Sequence, residues 1–318
     1  MKIVILDAKT LGGDIDLSGF SAFGETVIYP MTTPDEVAGR IGDCDILVLN
    51  KIKMNAGNLP YAKKLKLICE TATGYDNIDC AYCRGHGIGV CNVRGYSTDS
   101  VAQITAAMAL SLVSHLPEFD AYVKDNRYTK SGVHNCLTPY FHEISGMTWG
   151  IAGMGNIGTK VAQIAETLGC RVLAYKRKPD CVYPCVDLDT LCRESDILSI
   201  HLPLTEDTRD LFDREHIGMM KKNAIFINMA RGAVADETAL TQAVEENRIG
   251  GLGIDVFSAE PMQADSPYQR ILGRPNVVFT PHMAWAAHEA RVRCIDEIMK
   301  NIAAFLKGEK RNRIEGQI

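Results

Sequence analysis

MTWGIAGMGNIGTKVAQIAETLG, residues 147–169, is the stretch whose reading decides the fold. MTWGIAG is an apolar run that ends in glycine, and NIGTKVAQIAETLG carries the spacing of an amphipathic helix. Gly153, Gly155 and Gly158 form G-x-G-x-x-G at the join. Gly153 permits a tight turn, Gly155 lets a backbone approach a pyrophosphate, and Gly158 allows close helix–strand packing. Asn156 and Ile157 open the helix whose N–H groups would receive the phosphates. Such glycines also serve ordinary turns. Here the strand before and the helix after stand where a dinucleotide site needs them.

Outward from this point the same rhythm continues. RVLAY (171–175), DILSIHL (196–202), AIFINMA (224–230), GGLGIDV (250–256) and NVVFTP (276–281) read as strands. VDLDTLCRESD (186–196) and DETALTQAVEENRI (236–249) read as helices between them. Upstream, KIVIL (2–6), ETVIY (25–29), DILVLN (45–50) and KLICET (66–71) are further strands, and TTPDEVAGRIG (32–42) is a helix with a capping Thr and an early Pro. Strands without polar alternation imply sheets covered on both faces. A long helix over 99–124 joins the halves, and a last helix spans about 285–308. At 318 residues two domains are expected. The fold class is α/β: two Rossmann-like domains with doubly wound parallel sheets.

Composition narrows the function classes. The net charge of −5 repels phosphate backbones, which argues against a nucleic-acid partner. The apolar stretch 101–116 is too short for a bilayer and contains Gln103 and Ser111, so no membrane partner is expected. MKIVILDAKT reaches an acidic residue too early for an export signal, and a cytoplasmic location follows. The 11 cysteines are irregularly spaced. Cys80 and Cys83 form a single C-x-x-C without a second pair, and read as small buried hydrophobes rather than a redox or metal site.

A dinucleotide's adenosine ribose is usually held by an acid at the tip of the second strand. After Tyr175 this chain has Lys176-Arg177-Lys178-Pro179-Asp180 instead. Lysine and arginine pair with a 2′-phosphate through charge-assisted hydrogen bonds, so NADP is favoured over NAD, with Lys176 and Arg177 as contacts. A solvated turn, or Asp180 reaching back, is the alternative. His201 and Pro203, in the loop after the third strand of this half, would border adenosine.

Four polar features follow later strands: Arg231 within Asn228-Met229-Ala230-Arg231-Gly232, Asp255, Glu260, and His282 after Thr280-Pro281. Reduction of a 2-oxo acid needs a cation for its oxygens and an acid to protonate the carbonyl. Arginine's charged fork matches a carboxylate, and histidine titrates near working pH. A carboxylate on the far imidazole nitrogen fixes the tautomer. Singly, each residue also has a bland reading as a strand cap, solvated loop residue or backbone acceptor. Arg231, Glu260 and His282 together supply one of each required group, and no metal is needed.

The chain resembles the D-isomer-specific 2-hydroxyacid dehydrogenases, and most nearly their glycerate dehydrogenase/hydroxypyruvate reductase type. The resemblance rests on ATGYDNID (72–79), NVRGYSTDSVAQ (92–103), TWGIAGMGNIG (148–158), HLPLTEDTRDLF (201–212), INMARGAVADETAL (227–240), GLGIDVFSAEP (251–261) and TPHMAWAAHEAR (280–291). It implies Arg231 as substrate-binding arginine, Glu260 as histidine-orienting acid and His282 as catalytic acid/base. Thr73 and Gly74 would hold the substrate carboxylate through backbone N–H groups. Thr98, Met229, Ala230 and Asp255 would lie along the cofactor. It also implies a substrate domain of residues 1–99 completed by 285–318, a dinucleotide domain of 100–284, a cleft between them, and a homodimer through the dinucleotide domains. Gln103 replaces the family's usual glutamate, and Lys176-Arg177 its usual aspartate.

Trp285, with Tyr96 and the turn at Gly74-Tyr75, would shape the side-chain pocket. Hydroxypyruvate or glyoxylate is the favoured substrate. A broad or bulky 2-oxo acid such as 2-oxoisocaproate or phenylpyruvate is the alternative enzymatic reading. A nucleotide-sensing interaction protein of the co-repressor kind is the reading from another class.

Overall fold

The computed structural model describes residues 1–178 and 182–316, and the chain divides into two compact units, Met1–Ser97 with Ala286–Ile318 and Thr98–Trp285. Asp180 lies outside the described residues.

The first unit holds a five-stranded parallel sheet. Its strands are β1 (Lys2–Ile5), β2 (Glu25–Ile28), β3 (Ile46–Leu49), β4 (Leu67–Glu70) and β5 (Gly89–Cys91), in the order β2-β1-β3-β4-β5. Every residue of β3, β4 and β5 is buried, which is why those segments show no polar alternation. With only three residues, β5 is too short for periodicity to reveal, and the sequence reading missed it. Helix α1 (Pro34–Ile41) starts as its sequence directs: Thr33 N–H donates to the Glu36 carboxylate at 2.8 Å, and Pro34 occupies the first turn. The short helix α2 (Cys80–Gly85) carries Cys80 and Cys83 as buried thiols, which burial pushes up to about 11 and about 12.

The terminal helix runs from His288 to Leu306, within the expected span of about 285–308. It belongs to the first unit, where Arg291 grips Asp14 at 2.5 and 2.9 Å and the Arg293 guanidinium donates to the Tyr96 carbonyl at 3.0 Å.

The second unit holds six parallel strands: β6 (Thr148–Ala152), β7 (Arg171–Tyr175), β8 (Ile197–Ile200), β9 (Ile225–Asn228), β10 (Gly251–Ile254) and β11 (Val277–Phe279). Their order is β11-β10-β9-β8-β6-β7. Its helices are α3 (Thr98–Val113), α4 (Leu116–Lys124), α5 (Arg127–Ser131), α6 (Asn156–Thr167), α7 (Leu188–Glu194), α8 (Arg214–Met219) and α9 (Glu237–Glu245). Alternate strand residues feed two cores. Ile151, Ile197 and Ile227 pack with Val101 and Leu112 of α3 and Val161 of α6. Leu198, Phe226 and Leu252 pack on the other face with Leu191, Ile217 and Leu240 of α7, α8 and α9.

One expectation changes. The single helix over 99–124 is two, bent by 64° between α3 and α4. His115 takes the left-handed conformation at φ 49°, and Pro117 stands in the first turn of α4, so the ladder cannot run through. No single helix among the described residues is long and apolar enough to cross a membrane. In addition, both sheets share the order 2-1-3-4-5, extended by one strand in the second, rather than the 3-2-1-4-5-6 order of many dinucleotide folds. The point where the strand order reverses, where such folds bind ligands, falls between β1 and β3 and between β6 and β8.

Candidate active site

A single row of paired residues crosses the second sheet at its C-terminal edge. Tyr175 pairs with Ala152, Ala152 with Ile200, Ile200 with Asn228, Asn228 with Ile254, and Ile254 with Phe279. The first residues beyond this row are Lys176, Gly153, His201, Met229, Asp255 and Thr280. The nucleotide-loop and acid–base candidates therefore share one edge. With strands about 4.8 Å apart, the turns after β9 and β11 are separated by about 10 Å.

At the glycine loop, Gly153 has φ 100°, and a Cβ there would meet the His201 carbonyl at 2.8 Å. A Cβ on Gly158 would lie 1.9 Å from the Gly153 carbonyl oxygen, so helix and strand touch as close packing requires. A Cβ on Gly155 would meet nothing within 4 Å. That open ground at the start of the twelve-residue helix α6 fits a pyrophosphate on the helix N–H groups. Lys176, half-buried, stands beside Gly153 across the β6–β7 pairing. Arg177 is 87% exposed on its side chain and approaches Asp207 at 4.0 Å, leaving its guanidinium in solvent reach.

His201 sits deeper than its place in the loop suggested. Trp149 Nε1 donates to Ser199 Oγ at 3.0 Å, and Ser199 Oγ lies 3.1 Å from His201 Nε2. Burial drives the imidazole down to about 3, keeping it neutral. The Trp149–Ser199 link is a feature sequence reasoning missed, because a buried serine in a strand carries no local signal. In the same loop the Thr208 hydroxyl donates to the Pro203 carbonyl at 2.6 Å. Met229 and Ala230 are buried, at 7% and 8% exposed.

Asn228 shapes the turn that presents Arg231. Its side-chain oxygen accepts from Ala230 N–H at 3.0 Å, and its amide donates to the Arg231 carbonyl at 2.9 Å. The Arg231 guanidinium donates to the Ala230 carbonyl at 2.9 Å. Gly232 brings this turn against the Glu260 loop, since a Cβ there would lie 2.1 Å from the Phe257 carbonyl carbon and the Ser258 nitrogen. Ser258 N–H in turn donates to Glu237 at 2.7 Å, an anchor from α9 that the sequence did not advertise.

The candidate acid–base pair is built by two loops. Glu260 Oε1 accepts from Phe257 N–H at 3.1 Å, and Glu260 Oε2 lies 2.6 Å from His282 Nδ1. His282 is left-handed at φ 52°. Its N–H donates to the Asp255 carbonyl at 2.8 Å, and its own carbonyl accepts from Trp285 Nε1 at 2.9 Å. Trp285 thus braces the histidine loop. Asp255, 2% exposed, accepts from the Thr280 hydroxyl at 2.5 Å and from Met283 and Ala284 N–H at 2.9 and 3.0 Å. Burial pushes its carboxyl up against the opposing pull of those donors.

Thr73 and Gly74 belong to the first unit. The Thr73 hydroxyl donates to the Val93 carbonyl at 2.8 Å, and its carbonyl accepts from the Asn92 amide at 2.7 Å, which fixes the loop. Thr98 opens α3 in the second unit.

Comparison with known proteins identifies the family. Residues 106–284 match the family model of the D-isomer specific 2-hydroxyacid dehydrogenase NAD binding domain. The chain is 35% identical to a hydroxypyruvate reductase of Blautia hydrogenotrophica, over 98% of this chain and 99% of that protein. Among solved structures, an acyclic imino acid reductase in complex with NADPH and D-Arg superposes with a TM-score of 0.88 at 28% identity, covering 99% of this chain and 100% of that one. A D-lactate dehydrogenase of Aquifex aeolicus complexed with NAD and lactic acid gives 0.84 at 28% identity, covering 97% and 96%. With an open glycine cradle and a carboxylate-bound imidazole on the same sheet edge, the chain belongs to the D-isomer-specific 2-hydroxyacid dehydrogenases and is an NAD(P)-dependent oxidoreductase.

Proposed function

We propose that the protein reduces a small 2-oxo acid, hydroxypyruvate or glyoxylate, to the D-2-hydroxy acid, with NADPH preferred over NADH. The observation that carries this reading is the 2.6 Å contact between Glu260 and His282 on the edge that also presents the glycine loop. The likeness to a hydroxypyruvate reductase along the whole chain supports the substrate class. Lys176 and Arg177 support the cofactor preference, because neither repels a 2′-phosphate as an aspartate would.

Bound nicotinamide supplies the hydride. Arg231 pairs with the substrate carboxylate and polarises its carbonyl. His282 Nε2 gives its proton to the carbonyl oxygen while Glu260 holds Nδ1 and fixes the ring. In the reverse direction neutral His282 takes the proton back. Asp255, through the backbone of Met283 and Ala284, keeps the histidine loop in place.

We further assign a homodimer through the second unit. Leu137 and Tyr140, following α5, are 70% and 80% exposed, with Leu116, Val123 and Phe141 also open to solvent. Exposed apolar side chains on α4 and in the segment after α5 support an association surface there. Light scattering of wild type should give a dimer and of Tyr140→Lys/Phe141→Lys a smaller species; a monomeric wild type would refute the assignment.

The functional test is a panel of 2-oxo acids with NADPH and NADH, followed by cofactor absorbance. Hydroxypyruvate or glyoxylate with NADPH should give the highest kcat/KM. Tight cofactor binding with no acid reduced would favour a nucleotide sensor.

A further inference from the structure

The C-terminal edge of the first unit's sheet buries two carboxyl groups that the mechanism above does not use. Asp7 follows β1 and is 2% exposed; Glu70 ends β4 and is 0% exposed. Their surroundings differ. Asp7 accepts from Asn50 N–H at 3.0 Å and from Lys51 N–H at 2.7 Å. Glu70 receives one donor on Oε2, the Asn77 amide at 3.1 Å, and its Oε1 has no partner. Two carboxylates sharing low-dielectric ground do not both ionise readily, and the one with fewer donors keeps its proton. Burial raises both carboxyl groups; two backbone N–H donors oppose it at Asp7 and a single amide at Glu70, so Glu70 holds its proton more readily than Asp7.

Glu70 also has a structural task. The Asn77 amide that reaches it reaches the carbonyls of Asn50 and Ile52 as well, at 3.3 and 3.1 Å. Met54 N–H donates to the Asn77 carbonyl at 2.8 Å. Glu70 and Asn77 thus bracket the loop 71–76, which contains Thr73 and Gly74. No hydrogen bond engages either of those N–H groups among the described residues.

We infer that Glu70, as the uncharged acid joined to Asn77, is the positioning residue of the substrate-carboxylate loop, and that its neutrality leaves the ground behind Thr73 and Gly74 open to an anion. This rests on the assignment of those two N–H groups to the substrate. The other groups facing Glu70 are Asp7 beyond β1, Lys51 beyond β3, Asp76 in the loop, the Cys69 and Cys80 thiols, and Cys294 on the terminal helix. Burial, the largest influence, pushes the Glu70 carboxyl well above the usual carboxylate range, and Asp7 and Asp76 push the same way. Ionisation at alkaline pH would place a charge under the loop and repel the substrate.

The test compares wild type with Glu70→Leu and Glu70→Gln. Leu, which gives Asn77 no acceptor, should raise KM for the 2-oxo acid roughly tenfold with kcat within a few-fold. Gln should restore the neutral-pH KM and abolish the alkaline rise in KM that wild type shows. Infrared difference spectra of wild type minus Glu70→Gln should contain a protonated carboxylic acid band at neutral pH. Carboxylate bands there, or superimposable KM–pH curves for wild type and Gln, would overturn the inference. Failure of the functional reading is separate: wild type would then reduce none of the acids at any pH. Should neither Glu70 variant fold, Asn77→Ser breaks the same link from the other side and should raise KM; an unchanged KM would overturn the role.

Discussion

His282 Nδ1 and Glu260 Oε2 stand 2.6 Å apart although 22 residues separate them in the chain. The contact commits one imidazole nitrogen to the carboxylate and leaves Nε2 outside that contact. Two loops with independent anchors maintain it: Phe257 N–H and Glu237 on the glutamate side, Asp255 and Trp285 on the histidine side.

Replacing the pair should separate rate from binding. His282→Ala should lower kcat by about 10²-fold or more, and Glu260→Gln by roughly tenfold or more, with the cofactor Kd nearly unchanged in both. Fluorescence titration with NADPH beside steady-state kinetics checks this. A Kd that rises as much as kcat falls would show a lost cofactor site instead.

Neutralising Lys176 and Arg177 together should raise the NADPH Kd roughly 10-fold to 100-fold while NADH changes little, since charge-assisted bonds to a 2′-phosphate are lost only with NADPH. Isothermal titration with both cofactors decides the matter. Equal weakening would remove the NADP preference.

Asp255→Asn should destabilise the protein by about 1–3 kcal/mol, because an amide offers one acceptor where the carboxylate serves three donors in a buried loop. The same variant should lose kcat, since the His282 loop loosens. Chemical denaturation and kinetics on one preparation measure both. Lost rate with unchanged stability would argue against a loop-holding role.

His201 gives a pH signature. Its folded-state value of about 3 lies below the ordinary histidine value of 6.5, so between these limits the unfolded chain binds the additional proton. The contribution is complete above about pH 6.5 and is lost as the pH falls toward 3. Melting temperatures of His201→Asn should therefore decline less steeply than wild type between pH 6.5 and 4; parallel curves would count against a buried neutral imidazole.

Much of this was legible in the sequence because each reading had a local cause. The glycines at 153 and 158 answer to a positive φ and a helix–strand contact, both fixed within a dozen residues of chain. Strands such as β8 and β9 announce themselves as unbroken apolar runs. Arg231, Glu260 and His282 were picked out by chemistry and resemblance, and the contact between the last two is a tertiary fact that the chain order alone does not contain. Other features escaped for the same reason. The break at His115 depends on one residue's left-handed backbone, and β5 is defined by its partner β4. The Trp149–Ser199–His201 chain joins two strands through side chains. Glu70 looks in sequence like any strand-end glutamate; only its burial reveals it.

In the proposed reaction hydride and proton reach one 2-oxo acid at this edge, with His282 as the donor of the proton. Incubating the enzyme with NADPH deuterated at the transferable C4 position and hydroxypyruvate, then analysing the product by mass spectrometry and chiral chromatography, tests it directly. The predicted result is D-glycerate with deuterium at C2 from wild type, and at least 10²-fold slower formation from His282→Ala with NADPH still bound. L-glycerate, product without deuterium at C2, or an undiminished rate in the variant would contradict it.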